Sequence, residues 1–192
     1  VMCPGKEDMF NFLEDIVREV VPLFPGKYFH IGGDECPKTS WKNCPTCQKR
    51  IEAEGLQADG KHSAEERLQS YVIKRMEKML AKYDRKIIGW DEILEGGLSP
   101  DATVMSWRGT SGGISAALQK HDVIMTPGSG GLYLDHYQGD YKIEPVTIPS
   151  APAYLSRTYN YEPVPDTIKS LGLEKHILGV QCNNWSEYMY TN

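Results

Sequence analysis

Apolar positions recur at Met9, Phe12, Leu13, Ile16, Val17 and Val20. That i, i+3, i+4 spacing predicts a helix over 7–21 with one buried face, ended by Pro22 and Pro25-Gly26. The period then changes. Lys27-Tyr28-Phe29-His30-Ile31 is a β-prone run closed by Gly32-Gly33, hence a strand and a loop. Residues 37–62 are rich in Pro, Lys, Gly and Cys and predict a long loop with one short helix near 47–54. Ser63-Ala64-Glu65-Glu66 matches a capping box and opens a helix to about Lys82, with Leu68, Val72, Met76, Met79 and Tyr83 as its apolar stripe. Further strands are predicted at 86–90, 103–107, 122–126 and 176–181. Helices are predicted over 111–120, with Ile114, Ala117 and Leu118 inward, and over 166–171. A long loop rich in Gly, Pro and Tyr spans 128–162.

The strands are continuous apolar runs, the pattern of parallel strands buried on both faces, and they alternate with helices. This α/β order suits a doubly wound sheet or a (β/α)8 TIM barrel. No Gly-x-Gly-x-x-Gly follows a strand, which weakens the dinucleotide-binding version. The distinctive polar and aromatic residues sit just after strand C-termini, where both folds place their sites.

Length and charge narrow the reading. At about 100–200 residues per domain, 192 residues are expected to form one domain. The longest apolar run falls short of a membrane span. The first residues hold no basic region followed by an apolar run, so no signal peptide is expected in them. Lys and Arg number 21 against 26 Asp and Glu, a net charge of −5 with no basic run. Nucleic acids and anionic membranes are therefore not expected partners. Of the five cysteines, Cys44 and Cys47 have the CxxC spacing of a zinc knuckle or a redox pair. A zinc site needs four ligands, no second CxxC exists, and His30 and His62 stand at no recognisable spacing. A local pair or free thiols is the expectation, with no metal.

The candidate chemistry starts at Asp34-Glu35, directly after the first strand. In a regular strand the two carboxylates would face opposite ways. Gly32 and Gly33 permit a backbone bend that would let both serve one substrate. Trp90-Asp91-Glu92 follows the second strand, Ser106-Trp107-Arg108-Gly109 the third and Tyr133-Leu134-Asp135 the fourth. Gln181 to Glu187, with Asn183 and Trp185, follows the fifth. Aromatic faces stack on pyranose rings and carboxylates accept hydrogen bonds from hydroxyls, so the set predicts a sugar pocket.

The stretch from Phe24 to Glu35, with its HIGGDE core, resembles the signature of the glycoside hydrolase family 20 β-N-acetylhexosaminidases. The GWDE, SWRG, YLD and W-S-E segments follow in that family's order. The resemblance implies a (β/α)8 barrel, incomplete here, with residues 1–192 holding about its fourth to eighth strands. It implies exo-acting removal of terminal GlcNAc or GalNAc from β-linked glycans or glycoconjugates. Configuration is retained and the substrate's 2-acetamido group assists, so no cofactor is needed. Glu35 is then the general acid, with a pKa raised by burial and a nearby carboxylate. Asp34 orients the acetamido N–H, and Tyr133 donates to the acetamido oxygen. Trp90, Trp107 and Trp185 enclose the methyl and the ring, and Asp135 and Glu187 bind outer hydroxyls. Arg108 is expected to pair with a carboxylate. The family's mostly secreted, periplasmic or lysosomal setting comes with the same resemblance.

The family's Arg on the first strand and its His on an earlier strand have no counterpart in these residues. An inactive fragment or carbohydrate-binding remnant of such an enzyme is therefore the alternative. A nucleotide cyclase of the GGDEF type is disfavoured, because Cys36-Pro37 follows Glu35 in place of Phe and the flanks alternate strand and helix.

Overall fold

The structure is a computed structural model that describes residues 1–148 and 152–189. Residues 149–151 of the predicted long loop lie outside the described residues. The chain divides into two compact units, Val1–Thr103 and Val104–Asn192.

In the first unit, α1 (Glu7–Val20) leads through a short turn at Val21–Leu23 into β1 (Tyr28–His30). Then come α2 (Thr39–Lys42), α3 (Pro45–Ala53), α4 (Ala64–Ala81) and β2 (Lys86–Trp90). β1 and β2 are parallel, with Phe29 opposite Ile87 and His30 opposite Ile88. The predicted capping box is formed: the Glu66 N–H donates to Ser63 Oγ at 3.2 Å and the Ser63 N–H to Glu66 Oε2 at 2.6 Å. Leu68, Ile73, Met76, Met79 and Leu80 of α4 are buried, as are Ile87 and Ile88 of β2.

The second unit carries all but the first residue of β3 (Thr103–Ser106), then α5 (Ser111–Leu118), β4 (Val123–Met125), α6 (Leu155–Tyr159), α7 (Asp166–Ser170) and β5 (Ile177–Val180). β4 is parallel to β3, with Met105 opposite Ile124, and to β5, with Met125 opposite Val180. Val104, Met105, Val123, Met125, Leu132 and Ile168 are its large buried side chains.

Several expectations are corrected. On α1 the inward face is Met9, Phe10 and Val17, while Phe12 is 54% and Ile16 40% exposed. Phe10 sets that roll: its ring stands edge-on to Tyr71 at 5.9 Å, and the Arg75 guanidinium lies 4.0 Å over it. On α4, Val72 is only half-buried, as is Tyr83 just past its end, and polar Glu65, Gln69 and Ser70 are buried instead. On α5, Gly113, Ala116 and Ala117 face inward, while Leu118 is exposed. A Cβ on Gly113 would lie 2.8 Å from Met125 Sδ, so this helix packs its backbone against β4 through a glycine. The predicted 37–62 loop holds two helices, the second starting at Pro45 directly after Cys44. Burial on both faces holds for β2, β3 and β4 but not for β1 or β5. Among the described residues those two each pair with a single strand, which leaves one edge of each without a neighbouring strand.

Candidate active site

Asp34, Glu35 and Trp90 fall in the first unit, and Trp107, Tyr133, Asp135, Trp185 and Glu187 in the second.

At the end of β1 the ladder to β2 continues: the Ile31 N–H donates to the Ile88 carbonyl and the Trp90 N–H to the Gly32 carbonyl, both at 2.9 Å. The chain then leaves the strand. Gly32 has φ +71°, Gly33 φ +96° and Glu35 φ +45°. The expected bend is therefore present, and it extends to a non-glycine residue. A side chain held in the left-handed region is strained, and such strain clusters at functional positions. Gly33 and Gly89 both back onto Ile93: a Cβ on either would lie 2.6 Å from its Cγ2. Asp34 and Glu35 are both exposed, so the burial expected for Glu35 is not found here.

His30, at the same strand end, takes a part that the sequence reading did not assign. The Gly32 N–H donates to His30 Nδ1 at 3.1 Å, and the imidazole meets the half-buried Trp90 ring edge-on at 4.8 Å. Desolvation pushes the His30 pKa below its ordinary value, against an opposing pull from Asp34, although the residue keeps a solvent-facing edge. The available signal was its place at the head of HIGGDE.

A polar network holds the segments on either side. Lys38 Nζ donates to the Cys36 carbonyl and to Glu95 Oε2, each at 2.9 Å, and also to Gln69 Oε1. Gln69 Nε2 in turn donates to the Glu92 carbonyl at 2.8 Å. The buried polar residues of α4 thus fix the turn after Trp90, in which Asp91 and Glu92 are themselves buried. A mainly apolar cavity of about 220 Å³, lined by Ile31, Gly33, Ile73 and Met76 among others, reaches Asp34 and Cys36.

In the second unit, Trp107 follows β3 directly and is half-buried. Tyr133 and Asn183 form an isolated parallel bridge. The Leu134 N–H donates to the Asn183 carbonyl at 2.7 Å and the Asn183 N–H to the Leu132 carbonyl at 2.8 Å. This latch brings the rings of Tyr133 and Trp185 to 6.3 Å, edge to face. Asp135 and Trp185 line one cavity of about 310 Å³. The Asp135 side chain is 6% exposed, and among the described residues its Oδ1 has no hydrogen-bond partner. His136 Nε2 lies 3.9 Å from Asp135 Oδ2. The cavity wall comes from a loop bonded within itself: the Gln138 N–H donates to Glu144 Oε2 and the Lys142 N–H to Asp140 Oδ1, each at 2.9 Å. Glu187 is exposed and is not part of the lining.

One His, Cys, Asp or Glu group among the described residues is arranged to hold a metal ion, and it is Cys3, Cys44 and Cys47. Cys3, distant in sequence, is the partner that the CxxC lacked.

The family described as "Glycosyl hydrolase family 20, catalytic domain" matches residues 1–192. A beta-hexosaminidase of Porphyromonas gingivalis is 58% identical over 194 residues, covering 100% of this chain and 24% of that protein. A beta-hexosaminidase of Vibrio furnissii is 35% identical, covering 97% of this chain and 30% of that protein. Among solved structures, a family 20 exo-β-N-acetylglucosaminidase of Vibrio harveyi superposes with a TM-score of 0.85 at 30% identity. It covers 100% of this chain and 29% of that one. This chain therefore spans about a quarter to a third of the length of these relatives. Its parallel β/α units are those of the (β/α)8-barrel glycoside hydrolases, present here as an incomplete barrel. The chain belongs to glycosyl hydrolase family 20.

Proposed function

We propose that residues 1–192 are part of one catalytic barrel domain, about its fourth to eighth strands, of an exo-acting β-N-acetylhexosaminidase. The observation that carries this reading is the turn after β1, where Gly32, Gly33 and Glu35 all have positive φ and present adjacent carboxylates at a strand end. The relatives are a beta-hexosaminidase and an exo-β-N-acetylglucosaminidase, which supports the same substrate class.

Family 20 is a named exception to the two-carboxylate scheme of glycoside hydrolysis. The acetamido carbonyl oxygen attacks the anomeric carbon while Glu35 gives its proton to the departing glycosidic oxygen, leaving an oxazolinium ion. Asp34 accepts the acetamido N–H, orients the group and offsets the positive charge that develops. Tyr133 donates its hydroxyl to the acetamido oxygen. The Glu35 carboxylate then takes a proton from water. The water oxygen bonds to the anomeric carbon, the acetamido group is restored, and configuration is retained. Trp90, Trp107 and Trp185 enclose the acetamido methyl and the ring. Asp135, whose buried Oδ1 has no protein partner among the described residues, accepts a sugar hydroxyl together with Glu187, which confines action to the chain end.

The test uses the protein with its complete barrel and a chromogenic β-N-acetylglucosaminide. Glu35→Gln and Asp34→Asn should each lower kcat by about 10²-fold or more. Unchanged rates in both variants would sink the mechanism.

A further inference from the structure

The thiols of Cys3, Cys44 and Cys47 are brought together by two segments that are distant in sequence. Cys44 is the extended residue that precedes α3, Pro45 opens the helix, and Cys47 sits in its first turn. The amino-terminal segment folds back over that turn through Gly5. A Cβ there would lie 2.4 Å from the Thr46 carbonyl and 2.7 Å from the Cys47 nitrogen, so only glycine permits the approach. The result places Cys3 Sγ 3.6 Å from Cys44 Sγ and 3.4 Å from Cys47 Sγ. The metal-binding atoms of all three residues lie within 4.8 Å of one another.

These separations discriminate between chemistries. A disulfide requires about 2.05 Å between sulfurs, and none of the five cysteines is so bonded. Sulfurs at about 2.3 Å from a tetrahedral zinc stand about 3.8 Å apart along each edge. The observed separations approach the second value. The site is enclosed on its inner side by Trp41, Ile51 and Leu68, and Cys47 is fully buried. Such walls exclude the water that would otherwise compete for the ion.

We propose that Cys3, Cys44 and Cys47 bind a thiophilic divalent cation, zinc in the first instance, with Cys36 closing a four-thiolate structural site. Cys36 is the remaining cysteine of this unit and packs against the same apolar cluster as Cys3 and Cys44. The ion would tie the amino-terminal segment and the start of α3 to the chain immediately after Glu35. Its role is to fix that segment in place; the glycosidase chemistry proposed above needs no metal, and this site stands whether or not that reading holds.

The test is metal content of the purified protein, prepared without chelator and passed over a chelating resin, with cobalt(II) as a spectroscopic probe. About one equivalent of zinc is expected, and cobalt substitution should give intense thiolate-to-metal charge-transfer absorption and tetrahedral ligand-field bands. Cys44→Ser, at a half-buried position, should lower bound zinc at least about tenfold, while Cys182→Ser, on the other unit, should leave it unchanged. Cys36→Ser should weaken the charge-transfer band; an unchanged band would remove Cys36 from the ligand set. A metal-free protein whose cobalt complex lacks thiolate absorption would overturn the site. So would a disulfide among Cys3, Cys44 and Cys47 found by mass spectrometry of the fresh protein. Because these readouts do not involve glycosidase activity, failure here and failure of the enzymatic reading are distinguishable.

Discussion

The imidazole of His30 lies edge-on to the indole of Trp90, ring centroids 4.8 Å apart and planes inclined at 62°. Its Nδ1 accepts the Gly32 N–H. One side chain thus supports both the aromatic residue that ends β2 and the first residue of the bend leading to Asp34 and Glu35.

That contact requires a neutral ring, and desolvation depresses the His30 pKa in spite of Asp34. The unfolded chain therefore binds a proton at His30 more readily than the folded chain does. The stability that His30 contributes is complete above about pH 6.5 and declines as the pH falls below it toward the depressed folded value. A thermal midpoint measured from about pH 8 to about pH 5 should fall more steeply in the wild type than in His30→Asn, which keeps an acceptor but does not titrate. Equal slopes would remove His30 as the source.

Gly33 combines φ +96° with a close approach to Ile93. Gly33→Ala should cost about 1–2 kcal/mol in backbone strain alone, with overlap against Ile93 added to it. Ile93→Ala deletes the obstructing methyl but leaves the strain. In a urea-unfolding double-mutant cycle the pair should therefore lose less stability than the sum of the single variants. Strict additivity would show that Ile93 is not the obstacle.

Asp135 separates function from stability by sign. Its buried Oδ1 has no protein partner among the described residues, so Asp135→Ala should leave the thermal midpoint unchanged or raise it. In the protein with its complete barrel, the same variant should lower kcat/KM by about 10- to 100-fold through the lost contact to a sugar hydroxyl. A lowered midpoint with unchanged kcat/KM would assign the residue to packing.

Asp59 accepts the N–H groups of Lys61 at 2.8 Å and His62 at 2.7 Å, just before α4, and these bonds are the first cause of a pKa held at about 2. Folded Asp59 thus keeps its charge where the unfolded residue is protonated. The stability it adds is present above about pH 4 and is lost as the pH falls through about 2. Asp59→Asn should flatten that acid limb of the stability curve; an unaltered limb would place the effect in other carboxylates.

Local features and the parallel β/α order were legible in the sequence, and particular contacts between distant residues were not. The capping box of Ser63 and Glu66 depends on residues three apart, and it forms as read. The bend after His30 was legible because glycine pairs mark backbone that other residues resist. The inward face of α1 was misread because Phe10 is positioned by Tyr71 and Arg75, far along the chain. The roll of α5 follows from Gly113 against Met125, a contact that periodicity cannot encode. The pairing of Cys3 with Cys44-Pro45-Thr46-Cys47 escaped for the same reason: its cause is a backbone approach through Gly5, and spacing carries no trace of it.

The loop around Asp140 is a separable part of the cavity. Its hydrogen bonds close within itself, while Tyr133 and Trp185 are held by the separate latch at Asn183. Exchanging residues 139–146 for a turn of another length costs mainly loop-closure entropy, about 0.6 kcal/mol per doubling. The wall of the cavity is thereby separable from the Tyr133–Trp185 ring pair, of which Trp185 lines the cavity. A library built at those positions would vary what the cavity admits and keep the ring pair in register.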